Sequence, residues 1–172
     1  MPRVTHIKKA RKDYPSFGIQ KGDSYYMWSF NFGPTYKSKT YPKRSQLTRS
    51  DFLSQLYDLE DGISSRFSGF QDDGETPNSD LSSSIQDGID SLVSDIQNLL
   101  DETQERLDSM PEQLQETSDA GATLQERIEG LEGWISELES VDTDIDEELA
   151  DDEKTARVDE IVDEITQISL EL

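Results

Sequence analysis

Carboxylates outnumber every other reactive group in this chain of 172 residues: thirty-eight Asp and Glu stand beside one histidine and no cysteine. That inventory excludes thiolate nucleophiles, disulfides and thiolate metal sites. It also leaves His6 as the only imidazole for a serine or metal mechanism. His6 lies in a basic, irregular start and reads as a surface residue rather than a catalytic one. No phosphate-cradling glycine loop and no HExxH pair is present. The sequence therefore predicts no enzyme, no catalytic residue and no cofactor.

One acidic cluster does have the spacing of a metal loop. Asp142, Asp144, Asp146 and Glu153 fall at positions 1, 3, 5 and 12 of an EF-hand frame, with Leu149 at the apolar position 8 and helices expected on both sides. Position 6 is Glu147, where the sharp turn calls for glycine. In so acidic a region this spacing arises by chance. The expectation is an ordinary acidic turn between helices, with calcium binding as the alternative.

The cations lie elsewhere. Residues 1–50 hold eleven Lys or Arg and two Asp or Glu, whereas residues 51–172 hold five and thirty-six. Nine of the fourteen aromatic residues also fall in the first fifty. Lys8, Lys9, Arg11, Lys12, Lys21, Lys37, Lys39, Lys43 and Arg44 can neutralise phosphates, and Trp28 can stack a base. Two alternatives compete with nucleic-acid contact. The aromatics can be core beneath a helix with the lysines as solubilising charge, or the basic face can dock on an acidic protein surface, including this chain's own helices. A basic leucine zipper is excluded, because Pro15, Gly18 and Gly22 interrupt any continuous basic helix.

The elements that must position these residues follow from periodicity. From Ser24 to Tyr41 the chain alternates, with Tyr26, Trp28, Phe30 and Phe32 on one face and Tyr25, Met27, Ser29 and Asn31 on the other. Gly33-Pro34 breaks the run, which predicts an antiparallel hairpin with a longer loop and exposed Lys37 and Lys39. Val4 to Ile7 suits a short strand. A helix is predicted from near Thr48, where Thr48 and Asp51 have capping-box spacing. Its stripe of Phe52, Leu56, Leu59, Ile63 and Phe67 is expected to cover the aromatic face. Residues 68–79 read as a linker.

Beyond it, a helix over about 80–109 carries Leu81, Ile85, Ile89, Leu92, Ile96, Leu99 and Thr103, and Met110-Pro111 ends it. Ser118 to Ala122 reads as a turn. Leu124, Ile128, Leu131, Ile135 and Leu138 then form one seam, and Val158, Ile161, Ile165, Ile168 and Leu172 another. Trp134 falls beside its seam, and the glycines flanking it, Gly130 and Gly133, suit a close helix crossing; Trp134 is a candidate protein-interaction residue, against the competing expectation that it simply widens the bundle core. The predicted fold is mostly α: a small N-terminal β-hairpin head of α+β type, followed by an antiparallel helical bundle or coiled coil. The predicted division is 1–67 for the head module, 68–79 for the linker and 80–172 for the acidic bundle.

The segments MPRVTHIKKARKDYP, GIQKGDSYYMW, YKSKTYPKRSQLT and FLSQLYDLED resemble a group of tailed-bacteriophage accessory proteins, over about residues 1–63. The resemblance implies a viral origin and a non-structural accessory role, and it brings no activity with it. The K-A-R-K…G-I-x-K-G-D order also resembles a zinc-ribbon nucleic-acid module of the kind found in poly(ADP-ribose) polymerases. Every cysteine of such a site is missing, so zinc is not carried over.

The expected function is a non-enzymatic, phage-encoded binding protein. Its basic head would contact nucleic acid or a host protein, and its acidic helices would mediate homo-oligomerisation or partner docking. The alternative is an acidic DNA mimic that inhibits a host defence or nucleic-acid-binding enzyme. No apolar run approaches the roughly 20 residues that span a bilayer, and no apolar signal segment follows the basic start. No membrane contact and a host-cytoplasmic location are therefore expected.

Overall fold

The computed structural model describes residues 1–31, 33–67, 70, 78–146 and 148–168. The chain is mostly helical, with a small three-stranded antiparallel sheet at the amino terminus followed by helices. It divides into two compact units, Met1–Asp58 and Leu59–Leu172.

In the first unit, strands β1 (Thr5–Ile7), β2 (Tyr25–Ser29) and β3 (Thr35–Ser38) lie in that spatial order. The β2–β3 register pairs Met27 with Lys37 and Trp28 with Tyr36. As the Gly-Pro break predicts, the connection is longer than a two-residue turn; Phe32 within it lies outside the described residues. Both faces of the sheet are used. On one, Trp28 is buried, stacks on Tyr36 with ring centroids 5.8 Å apart, and donates its indole N–H to the Gln46 carbonyl at 3.1 Å.

The other face is covered by the segment between β1 and β2. Ala10, Ile19 and Tyr25 form a small core against which Ile7, Tyr14 and Met27 pack. Main-chain bonds between Ala10 and Asp23 and between Tyr14 and Ile19 hold the segment in place. Gly22, at φ 103°, makes its turn in a conformation that side chains disfavour. The basic start is thus an ordered cover, and it has no periodicity by which to be recognised.

Helix α1 (Asp51–Phe67) starts later than the Thr48 capping box predicts. A 3-10 turn at Arg44–Leu47 intervenes, and Ser50 is the residue whose hydroxyl accepts from Leu53 N at 3.3 Å. The α1 stripe is buried at Phe52, Leu56, Ile63 and Phe67, but it does not all serve the sheet. The boundary between units falls after Asp58, and Phe67 lies against Gly88 and Phe70 in the second unit. Of the predicted linker 68–79, residues 68, 69 and 71–77 lie outside the described residues; Phe70 is described, its ring 5.8 Å from that of Phe67, and Asn78 and Ser79 already belong to the next helix.

The second unit is organised on α2 (Asn78–Asp108). Leu81, Ile85, Ile89, Leu92, Ile96 and Leu99 are all buried, each worth roughly 1.5–3 kcal/mol before entropy. Thr103 is buried too, its hydroxyl donating to the Leu99 carbonyl at 2.7 Å. After Pro111 come α3 (Glu112–Thr117) and α4 (Asp119–Glu139), and α4 packs along α2. Residues 118–122 are therefore not a turn. Ser118 caps α4, accepting from Gly121 N at 3.0 Å while donating to Leu114 O at 2.6 Å, and so ties α3 to α4.

Two expectations for α4 need correction. Trp134 is 2% exposed, so it is core between Leu131 and Leu138 rather than a partner surface. Its indole nitrogen has no hydrogen-bond partner among the described residues. At Gly133 an added Cβ would meet nothing within 4 Å, so this glycine serves no close crossing.

From Val141 to Asp146 the chain runs extended, with Val141, Thr143 and Ile145 buried and Asp142, Asp144 and Asp146 exposed. Thr143 is moored to α2 through its carbonyl, which accepts from Ser82 Oγ at 2.8 Å, and its hydroxyl, 3.0 Å from Gln86 Oε1. Helix α5 (Asp151–Gln167) then buries Val158, Ile161 and Ile165. Ile168 is half-buried and Leu172 lies outside the described residues. Among the described residues no helix is long and apolar enough to cross a membrane.

Candidate nucleic-acid interface

The charge division seen along the sequence persists between the units. Met1–Asp58 carries eleven Lys or Arg against four Asp or Glu. Lys8, Lys9, Arg11 and Lys12 follow β1 on the covering segment, Lys21 sits on its second turn, and all five are exposed. Lys43 and Arg44, at the 3-10 turn before α1, are exposed as well. The Arg44 guanidinium stacks over Tyr57 at 4.1 Å, which presents it in one orientation.

Lys37 and Lys39 are not the free pair that the strand pattern predicts. The Lys37 ammonium lies over the rings of Tyr14, at 4.5 Å, and Phe17, at 5.2 Å, and its residue is half-buried. Lys39 is exposed but bridges to Asp23 at 3.0 Å. The Gln20 amide, followed by Lys39, holds the Asp23 carboxyl below its ordinary range. Trp28 is also removed from the set of base-stacking candidates, because it is 5% exposed and its N–H is already satisfied.

The aromatic surface that remains was not singled out from the sequence. Tyr41 is 62% exposed, and Phe17 and Tyr36 are each 39% exposed. Tyr41 stands edge-on to Tyr26 at 5.4 Å, and Tyr26 stacks on exposed His6 at 4.8 Å. The lone histidine therefore belongs to an aromatic row. Trp28 and Tyr36 are register partners on one face of the sheet, so an aromatic cross-strand pair was the available sequence signal for Tyr36, although it does not by itself say which ring is exposed.

The acidic frame of Asp142, Asp144, Asp146 and Glu153 does not close into a loop. The Arg157 guanidinium lies against it, bonding the Asp142 carbonyl at 3.0 Å and the Asp142 carboxylate at 3.3 Å. Glu153 faces the Ala150 amide at 3.5 Å, at the start of α5. Among the described residues no three carboxylate or imidazole groups converge to hold a metal ion. Glu147 lies outside the described residues.

No protein-family model matches the chain, and no match was found among curated proteins or solved structures.

Proposed function

We propose that this is a non-enzymatic binding protein whose head engages the phosphate backbone of nucleic acid, with the acidic helices serving self-association or partner docking. The observation that carries this reading is the exposure of Lys8, Lys9, Arg11, Lys12, Lys21, Lys43 and Arg44 on a unit with few carboxylates, beside the open rings of Phe17, Tyr36 and Tyr41. Such charge supplies affinity without sequence preference, and open rings favour strands with accessible bases. The resemblance to tailed-phage proteins points to action in the host cytoplasm.

Fluorescence anisotropy of full-length protein with labelled oligonucleotides, across a salt series, tests the proposal. Log affinity should fall linearly with log salt, at about 0.7–0.9 per phosphate neutralised. Absent or salt-insensitive binding refutes it.

A second reading, the DNA mimic, draws on the other unit. Of its five cations, Arg66 and Arg157 are paired with carboxylates and Lys154 is buried, so its exterior is dominated by carboxylates. Displacement of a host enzyme from DNA, without DNA binding by this protein itself, is the result that favours it.

A further inference from the structure

A cleft of about 660 Å³ opens on the head among the amino-terminal residues, the end of β2 and the start of α1. That volume falls within the roughly 300–1,000 Å³ usual for small-ligand sites. Its apolar lining comes from Phe30, Leu47, Leu53 and Tyr57, and its charges are Arg3 and Arg49, with no carboxylate among the lining residues. Arg49 is held in place: its guanidinium lies 5.2 Å from the Phe30 ring centre and donates to the Asn31 carbonyl. That bond takes one of five N–H donors, which leaves others for an anion. Arg44, outside the lining, lies over the Tyr57 ring at 4.1 Å.

Two lining rings, each with a guanidinium against it, together with the cleft's own Arg3 and Arg49, match one chemistry well. A nucleotide brings a planar base for the rings and a phosphate for the arginines. In a duplex the base is stacked inside the helix and only the backbone reaches such a cleft. We infer that the cleft takes one unstacked nucleotide of a single strand, which makes single-stranded nucleic acid the preferred partner. This rests on the nucleic-acid reading of the head and adds to it a specific pocket and strand type.

The test compares labelled oligothymidylate, the same length of duplex, and thymidine monophosphate as competitor, all with full-length protein. Single strand should bind more tightly than duplex, because one stacked base is worth roughly 5- to 150-fold in affinity. Leu53→Trp, which fills the cleft, should remove that advantage and leave duplex binding unchanged. Tyr57→Ala, which removes a wall, should do the same if the filled variant folds poorly. In the unmodified protein, the ring resonances of Phe30 and Tyr57 should shift when oligothymidylate is added. Competition by the mononucleotide at similar concentration would assign the site to a free nucleotide instead and overturn the strand inference. Folded variants with undiminished single-strand preference, or unshifted rings, overturn it while the electrostatic reading survives. If unmodified protein binds neither oligonucleotide, both fail.

Discussion

Two glycines on α4 invite the same substitution with opposite results. At Gly133 a Cβ would meet nothing within 4 Å, whereas at Gly121 it would lie 2.3 Å from the Gln115 carbonyl oxygen and 2.7 Å from that of Leu114. Alanine in a helix is favoured over glycine by about 1 kcal/mol, so Gly133→Ala should stabilise by roughly 0.5–1 kcal/mol. The same gain is available at Gly121, but the obstructing atoms are main chain and have no rotamer by which to move aside. Relieving that overlap requires α3 to shift and loosens the bridge from the Ser118 hydroxyl to Leu114 and Gly121. Overpacking of this kind costs about 1–3 kcal/mol, so Gly121→Ala should be net destabilising. Because the helix-propensity gain is common to both, the two variants should differ by the overpacking cost, roughly 1–3 kcal/mol. Urea unfolding followed by circular dichroism measures the difference directly. A Gly121→Ala protein as stable as the parent would show that α3 does not fold back onto α4 in this way.

Trp134→Ala should cost about 3–5 kcal/mol as a buried aromatic. Trp134→Phe should cost much less, since the indole N–H it removes has no partner among the described residues; thermal melts of both check this. Trp28→Ala should unfold the head, seen as loss of near-ultraviolet dichroism and of dispersed amide resonances, because that ring is core. Lys37→Glu should destabilise by about 1 kcal/mol through two lost ring contacts, and Lys39→Glu by less than about 0.5 kcal/mol, as its ion pair is exposed; denaturant midpoints distinguish them. Burial, and then the hydrogen bond with Tyr14, push the Tyr25 phenol above its ordinary value of 10.0. The unfolded chain therefore releases that proton first, and stability should fall as pH rises past about 10. Tyr25→Phe should lessen this alkaline loss in melts at successive pH values.

The helical seams were legible because each apolar residue recurs at three or four positions against a background of acids. Ile89, Leu92, Ile96 and Leu99 admit no other period, and Pro111 marks the end of their helix. Trp134 was misplaced because the heptad frame puts Ile135 on the seam. The helix follows its own 3.6-residue turn, which brings Trp134 further in and leaves Ile135 half-buried. In the head, alternation located β2 and β3 correctly. What covers them depends on contacts between residues far apart in sequence, such as Tyr14 with Lys37, and no local pattern encodes those. The candidate interface was accordingly legible as a charge but not as a surface. Lys37 and Lys39 are engaged within the head, Arg44 lies over Tyr57, and the open rings are Phe17, Tyr36 and Tyr41 instead of Trp28.

The extended run from Val141 to Asp146 imposes a constraint of a different kind. Within a helix, deleting one residue rotates everything beyond it by about 100°, and a broad apolar face can absorb part of that turn. In a run that alternates strictly, the same deletion inverts the pattern. Loss of Thr143 would bring Asp142 or Asp144 to positions now held by buried side chains, beside the point where Ser82 and Gln86 fasten the chain to α2. An added residue there would do equal harm. Between Ser140 and Asp146 a change in the number of residues should therefore cost more than a conservative apolar exchange at Val141 or Ile145, while Thr143 is also fixed in kind by its hydroxyl bond to Gln86.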